Sequence, residues 1–189
     1  EAYDARSVVK EQIESLGGKY IEIDTGADLA GAGGYAKEAT DEILRRQQAG
    51  LADRAAKSDV IITTAAVPGR PAPRLIPAST VERMQPGSVI VDLAAETGGN
   101  CELTEKGKIV QRHGVTIVGT LNLPSTLAVH SSQMYAKNLQ NLLALMIDKE
   151  GRFHIDMNDD IIANTVITMD GNVIHEGTKQ RLNPAPKPA

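Results

Sequence analysis

Hydrophobic positions along the chain follow a helical rhythm in some segments and form short unbroken runs in others. In residues 7–16, Val9, Ile13 and Leu16 share one helical face and Gly17-Gly18 supplies a stop, so the spacing predicts a short amphipathic helix. Tyr20, Ile21 and Ile23 predict a brief strand, and residues 24–35, rich in Gly and Ala and without periodicity, predict a mobile loop. Residues 36–56 favour helix with Ile43, Leu44 and Leu51 inward, although Gly50 weakens it by about 1 kcal/mol relative to Ala. Val60, Ile61 and Ile62 then form a continuous apolar run, the mark of a strand covered on both faces, closed by the turn VPGRPAP.

The cadence repeats. A short helix is expected over 79–84, a Pro86-Gly87 turn, a strand over 88–94 and another buried strand over 115–119. Strand, helix, strand in this order means right-handed βαβ crossovers and a parallel sheet. A long helix is expected over 126–147, with Leu139, Leu142, Leu143 and Met146 at helical spacing. Beyond residue 151 the pattern changes to short alternating runs, with Asp170-Gly171 as a turn between two strands. That segment is too small to hold a core alone, so it is expected to pack on a second domain. The final LNPAPKPA reads as a stiff, exposed linker.

Composition acts by exclusion. Of 189 residues, 41% are hydrophobic and 23% charged, an ordinary globular mixture, but with one Phe and no Trp the core must be aliphatic. A formal net charge of −4 without any basic block leaves no footprint for a phosphate backbone, so nucleic acid is not an expected partner. Cys101, the single cysteine, makes no internal disulfide and reads as unreactive. His113, His130, His154 and His175 lack the spacing of a metal site or a general base, and a reducing compartment fits best. No apolar run approaches the roughly 20 residues that span a bilayer, and EAYDAR does not open like a signal peptide.

EAYDAR carries chemistry if it is the end of a sheet strand, because in dinucleotide folds the second strand ends in a carboxylate that takes the adenosine ribose hydroxyls. Asp4 is then that carboxylate, and it disfavours a 2′-phosphate, while Arg6 works the other way. The alternative is a solvated Asp capping the following helix. The glycine-rich turn G-x-G-x-x-G that should precede such a strand is absent, and Gly31, Gly33 and Gly34 are spaced differently. The expected fold is therefore an α/β, Rossmann-like, doubly wound parallel sheet lacking its first βα unit, with a C-terminal segment packing on a second domain.

Read together, EAYDAR, VKEQIESLGGKY, GGYAKE, ITTAAVPGRPAP, PGSVIVDLAAETGGNCE and LPS resemble the NAD(H)-binding component of proton-translocating transhydrogenase. Alanine dehydrogenase is a relative of the same fold, and the GGYAKE loop and Asn100-Cys101 favour transhydrogenase. The resemblance divides the chain into a nucleotide-binding domain over 1–147, a segment of the second domain over 148–178 and a linker over 179–189. It implies that Asp4, Ala5 and Arg6 touch the adenosine ribose and that Gly34 and Tyr35 belong to a loop closing over nucleotide. Tyr35 as an anchor of the next helix is the alternative. It further implies that Gln47 reaches in from the following helix, and that Ala66 makes a backbone contact at a strand end. Glu96, with Gly98, Gly99 and Asn100, would line the nicotinamide side, and Asn122 is a further candidate there, with a helix N-cap as its alternative. The N-cap role fits Ser125 better. Thr63, Thr64, Ala65 and Ala66 fall at the carboxyl end of a parallel strand, where open α/β sheets bind ligands, and leave room for a ring. Strand propensity by itself is the alternative for Thr63 and Thr64. No residue is expected to be catalytic, because hydride transfer between nicotinamide rings moves no proton at the reacting carbons.

The same resemblance implies NAD(H) as cofactor, NADP(H) on a partner domain, and hydride transfer coupled to proton movement. It implies a membrane domain, a homodimer and a missing N-terminal portion as partners. The expected place is the cytoplasmic face of a bacterial inner membrane, or the matrix side in mitochondria. An NAD-dependent alanine dehydrogenase and a non-catalytic NAD(H)-sensing module are the alternatives.

Overall fold

A computed structural model describes residues 1–26, 29–30, 39–67 and 70–182. The chain divides into two units, Glu1–Asn122 and Leu123–Ala189.

The first unit opens with a bridge rather than a full strand. Ala2 pairs in parallel with Tyr20, and its peptide is held by Lys19 and Ile21 at 2.8 Å each. Between them lies a turn of 3₁₀ helix, Ser7–Val9, running into α1, Lys10–Ser15. The loop expected over 24–35 falls largely outside the described residues. Helix α2, Asp41–Ala55, starts where Thr40 caps the amide of Ile43 at 3.3 Å, later than residue 36. Gly50 sits inside α2 for a steric reason: a Cβ there would lie 2.8 Å from Cγ2 of Ile23, so the helix needs a glycine where this segment crosses it.

The sheet comprises β1 (Val60–Thr63), β2 (Val89–Asp92), β3 (Ile109–Arg112) and β4 (Val115–Val118), in the order β1-β2-β4-β3. β1, β2 and β4 run parallel, with Ile61, Ile90 and Ile117 in register across them. The four-residue helix α3, Ala78–Val81, lies between β1 and β2 in sequence. Its Val81, with Ala55 of α2, Met84, Ile90, Cys101, Val115 and Ile117, forms the aliphatic core.

Two expectations change here. β3 was not anticipated; it returns antiparallel onto β4 through His113 (φ 51°) and Gly114 (φ 80°), two successive left-handed residues that close a tight hairpin. Nor is β1 covered on both faces among the described residues. Val60 and Ile62 are 59% and 65% exposed while Ile61 packs on the core and Thr63 is buried, so this strand alternates.

In the second unit the long helix expected over 126–147 forms as one unbroken helix, preceded by a four-residue turn. α4, Leu123–Thr126, is separated from α5, Ala128–Met146, by Leu127, which leaves helical geometry at φ −124° and ψ 47°. An unanticipated helix, α6 (Asp160–Thr165), begins where the Asp159 carboxylate accepts the amides of Ile161 and Ile162, and it buries Ile162. The Asp170-Gly171 turn joins β5 (Thr168–Met169) to β6 (Asn172–Val173), as the sequence predicts. Helix α7, Glu176–Leu182, carries helical structure into the segment read as linker from 179, because His175 Nδ1 accepts the Thr178 amide and starts a turn there. Among the described residues no helix is long and apolar enough to cross a membrane.

Candidate functional site

The Ala2–Tyr20 bridge sets the direction of the chain as it reaches Asp4, and Tyr20 secures it by donating its hydroxyl to the Asp4 carbonyl at 3.0 Å. Arg6 then folds back on the Asp4 carboxylate. Nε reaches Oδ1 at 2.8 Å, Nη2 reaches Oδ2 at 2.7 Å, and the Arg6 amide also donates to Oδ1 at 2.9 Å. This two-pronged pairing is the strongest geometry a guanidinium offers a carboxylate. Burial pushes the Asp4 carboxyl up, but the Arg6 side chain, its amide and its charge together hold it below the usual carboxylate range.

Asp4 and Ala5 line a cleft of about 440 Å³ together with Tyr3, Lys10, Tyr20 and Thr25. Asp24 lines it too, and its Oδ1 accepts the Gly26 amide at 2.9 Å. A carboxylate held on one side by Arg6, in a cleft with an aromatic wall, can accept a vicinal diol. Tyr3 was not singled out from the sequence. Its hydroxyl is buried, and burial raises its pKa while Gln47, facing it, pulls the other way without closing a well-aligned hydrogen bond. Gln47 itself is only 3% exposed.

A second group forms at the carboxyl ends of β1 and β2. Asp92, the last residue of β2, is 1% exposed, and four donors meet its carboxylate: Thr104 Oγ1 at 2.6 Å, the Cys101 amide at 2.9 Å, and the Thr63 hydroxyl and Ala94 amide at 3.1 Å each. Gly98 and Gly99 take positive φ (108° and 85°) to turn the chain here. Asn100 follows, fully buried, its Nδ2 donating to the carbonyls of Ala65 and Pro73 at 2.8 Å each. Nothing in the sequence announced this network beyond an aspartate closing an apolar strand.

Asp4, Ala5 and Arg6 are thus brought together. Ala66 is exposed in the loop after β1, and Glu96 is exposed on the 3₁₀ turn Ala95–Thr97, where its carbonyl accepts Lys106 Nζ at 2.9 Å. Asn122 is exposed with φ 52° just before α4. Gly34 and Tyr35 lie outside the described residues. Asn100 faces the loop carbonyls, not open space. Cys101 is buried, and burial pushes its thiol up. No group of three or more His, Cys, Asp or Glu residues placed to hold a metal occurs among the described residues.

Residues 1–176 match the family described as alanine dehydrogenase/PNT, C-terminal domain. The chain is 47% identical over 177 residues to a Rhodospirillum rubrum protein named as the first part of NAD(P) transhydrogenase subunit alpha, covering 92% of this chain and 46% of that protein. To the alanine dehydrogenase of Bacillus subtilis (strain 168) it is 29% identical over 137 residues, 70% of this chain and 36% of the other. Among solved structures it is similar to a transhydrogenase from Sinorhizobium meliloti, with a TM-score of 0.68 and 40% identity over 92% of this chain and 44% of that one. The chain spans about half the length of that solved transhydrogenase and of the Rhodospirillum relative.

Proposed function

Because the chain belongs to the family of the alanine dehydrogenase and transhydrogenase C-terminal domain, we propose that it forms the NAD(H)-binding part of a proton-translocating transhydrogenase. The observation that carries this reading is the Asp4 carboxylate, locked by Arg6 and opening on a cleft at the end of the Ala2 bridge. That is the place and the chemistry at which a doubly wound sheet takes adenosine ribose. A negative charge there disfavours a 2′-phosphate. Arg6 is engaged with Asp4, which favours NAD(H) over NADP(H).

Residues 1–147 form the nucleotide-binding domain in this reading, and 148–178 belong to a second one. Bound NADH supplies the hydride, which passes to NADP+ on a separate domain, and the membrane domain couples that transfer to proton movement. Asp4 and Ala5 anchor the adenosine end. Ala66, Glu96 and Asn122 border the nicotinamide end, where the protein's contribution is orientation and exclusion of water. Gly34 and Tyr35 close over the nucleotide. The assembly is a dimer on the cytoplasmic or matrix side of its membrane.

Alanine dehydrogenase is the second reading, supported by the shared fold and weakened by the lower identity, 29% against 47%. The test is reduction of an NADP+ analogue by NADH, using the complete subunit and a purified NADP(H)-binding domain. Transfer that requires both supports transhydrogenase; alanine-dependent reduction of NAD+ by the subunit alone overturns it.

A further inference from the structure

The Asn100 side chain has a job that ligand contact does not describe. One amide nitrogen meets two carbonyls, Ala65 where the chain leaves β1 and Pro73 where the same loop returns. The backbone repeats the connection: the Asn100 carbonyl accepts the amides of Leu75 and Ile76 at 2.8 and 3.0 Å, and Ala72 donates to the Thr97 carbonyl at 2.9 Å. Both ends of the loop that carries Ala66 are therefore tied to the turn that carries Glu96. Asp92 fixes that turn from beneath by accepting Cys101, Thr104 and Ala94 while also gripping Thr63 of β1.

The orientation of Asn100 is single-valued. Its Oδ1 is buried without a hydrogen-bond partner among the described residues. Turning the amide over would bring that oxygen against two carbonyls, a worse arrangement. Burying an unpaired acceptor costs stability, and the loop geometry is what this cost sustains. We infer that Asn100 is a positioning residue: through its clamp on Ala65 and Pro73 it fixes the two loops at the carboxyl edge of β1 and β2 as one surface for the nicotinamide half of the dinucleotide.

The inference rests on the NAD(H)-binding reading, and it makes a claim that mere stabilisation does not. The adenosine half belongs to the Asp4 cleft, so the clamp should matter to NADH and not to 5′-AMP. In the complete subunit, Asn100→Asp replaces the amide nitrogen, which donates both hydrogens, with a carboxylate oxygen that faces the same two carbonyls. The expected result is NADH binding weakened by about tenfold or more, with a lower kcat, while 5′-AMP affinity is unchanged, in keeping with the loss of two buried hydrogen bonds. Asn100→Ser keeps one donor and carries the test if the aspartate variant does not fold; a loss of about threefold, again confined to NADH, is expected. Unchanged NADH affinity and kcat in either folded variant, or parallel loss of NADH and 5′-AMP, overturns the clamp. If the unaltered subunit binds NADH poorly, the nucleotide-binding reading falls and the clamp with it.

Discussion

Asp4 and Asp92 both close an extended segment, yet they sit in opposite circumstances. Asp92 is 1% exposed and meets four donors contributed by β1, by its own strand end and by the turn beyond. The side chain of Asp4 is 26% exposed, is held by one residue two positions away, and faces a cleft. A carboxylate whose acceptor capacity is consumed by its own fold is structural. One held from a single side retains capacity for a ligand. In the proposed reading the same residue type thus serves architecture at the end of β2 and recognition beyond the Ala2 bridge, and the set of partners distinguishes them.

The largest effect that sharpens this contrast comes from Asp92→Ala. It leaves the Cys101 and Ala94 amides without an acceptor inside the core, and a loss of about 3 kcal/mol or more in guanidinium unfolding is expected. Gly99→Ala attacks the same network sterically. Its Cβ would stand 2.6 Å from Asp92 Oδ2 and 2.9 Å from Thr104 Cβ, at a φ of +85°. A loss of about 2 kcal/mol is expected in the same measurement. A stable Asp92→Ala protein would erase the distinction between the two aspartates.

Asp4→Asn should do the reverse, weakening NADH binding by the complete subunit about tenfold, roughly 1.4 kcal/mol, while the melting temperature changes little. Calorimetric titration alongside a thermal scan reads both. The smallest effect concerns pH. Arg6 lowers the Asp4 pKa in the folded protein, so the pair's contribution to stability is present above the unfolded carboxyl pKa and fades as pH falls through the folded one. With Arg6→Gln, burial dominates and the Asp4 pKa rises. The acid limb of NADH affinity then moves to higher pH, and an unshifted limb would mean that Asp4 does not take the nucleotide.

What was legible in the sequence follows from which forces leave local traces. β1, β2 and β4 were readable because each is a short unbroken aliphatic run, even though β1 exposes Val60 and Ile62. β3 was missed although KIVQRHGVTIV carries apolar pairs on both sides of His-Gly, because histidine at positive φ is a weaker turn signal than Asn or Asp. α6 was missed because it spans only six residues and its apolar positions do not complete a periodic stripe. At the candidate site, Asp4 drew attention as a carboxylate closing an extended segment, and the structure places it just beyond an isolated bridge and beside a cleft. The parts played by Asn100 and Asp92 were not, since their partners lie 27 and 35 residues away for one and up to 29 for the other, and no spacing rule links them.

The β3–β4 hairpin has a bearing on the order in which the sheet assembles. Among the described residues it is the one pairing of the four-stranded sheet whose two strands are joined by a tight turn, so its closure entropy is small and it can form within microseconds. β1 with β2, and β2 with β4, must each bring together strands separated by intervening structure, which delays them. The hairpin therefore offers β4 as a prepared template onto which β2 and then β1 dock, and the carboxyl end of β1, proposed to border the nucleotide, is among the last parts of the sheet to take shape.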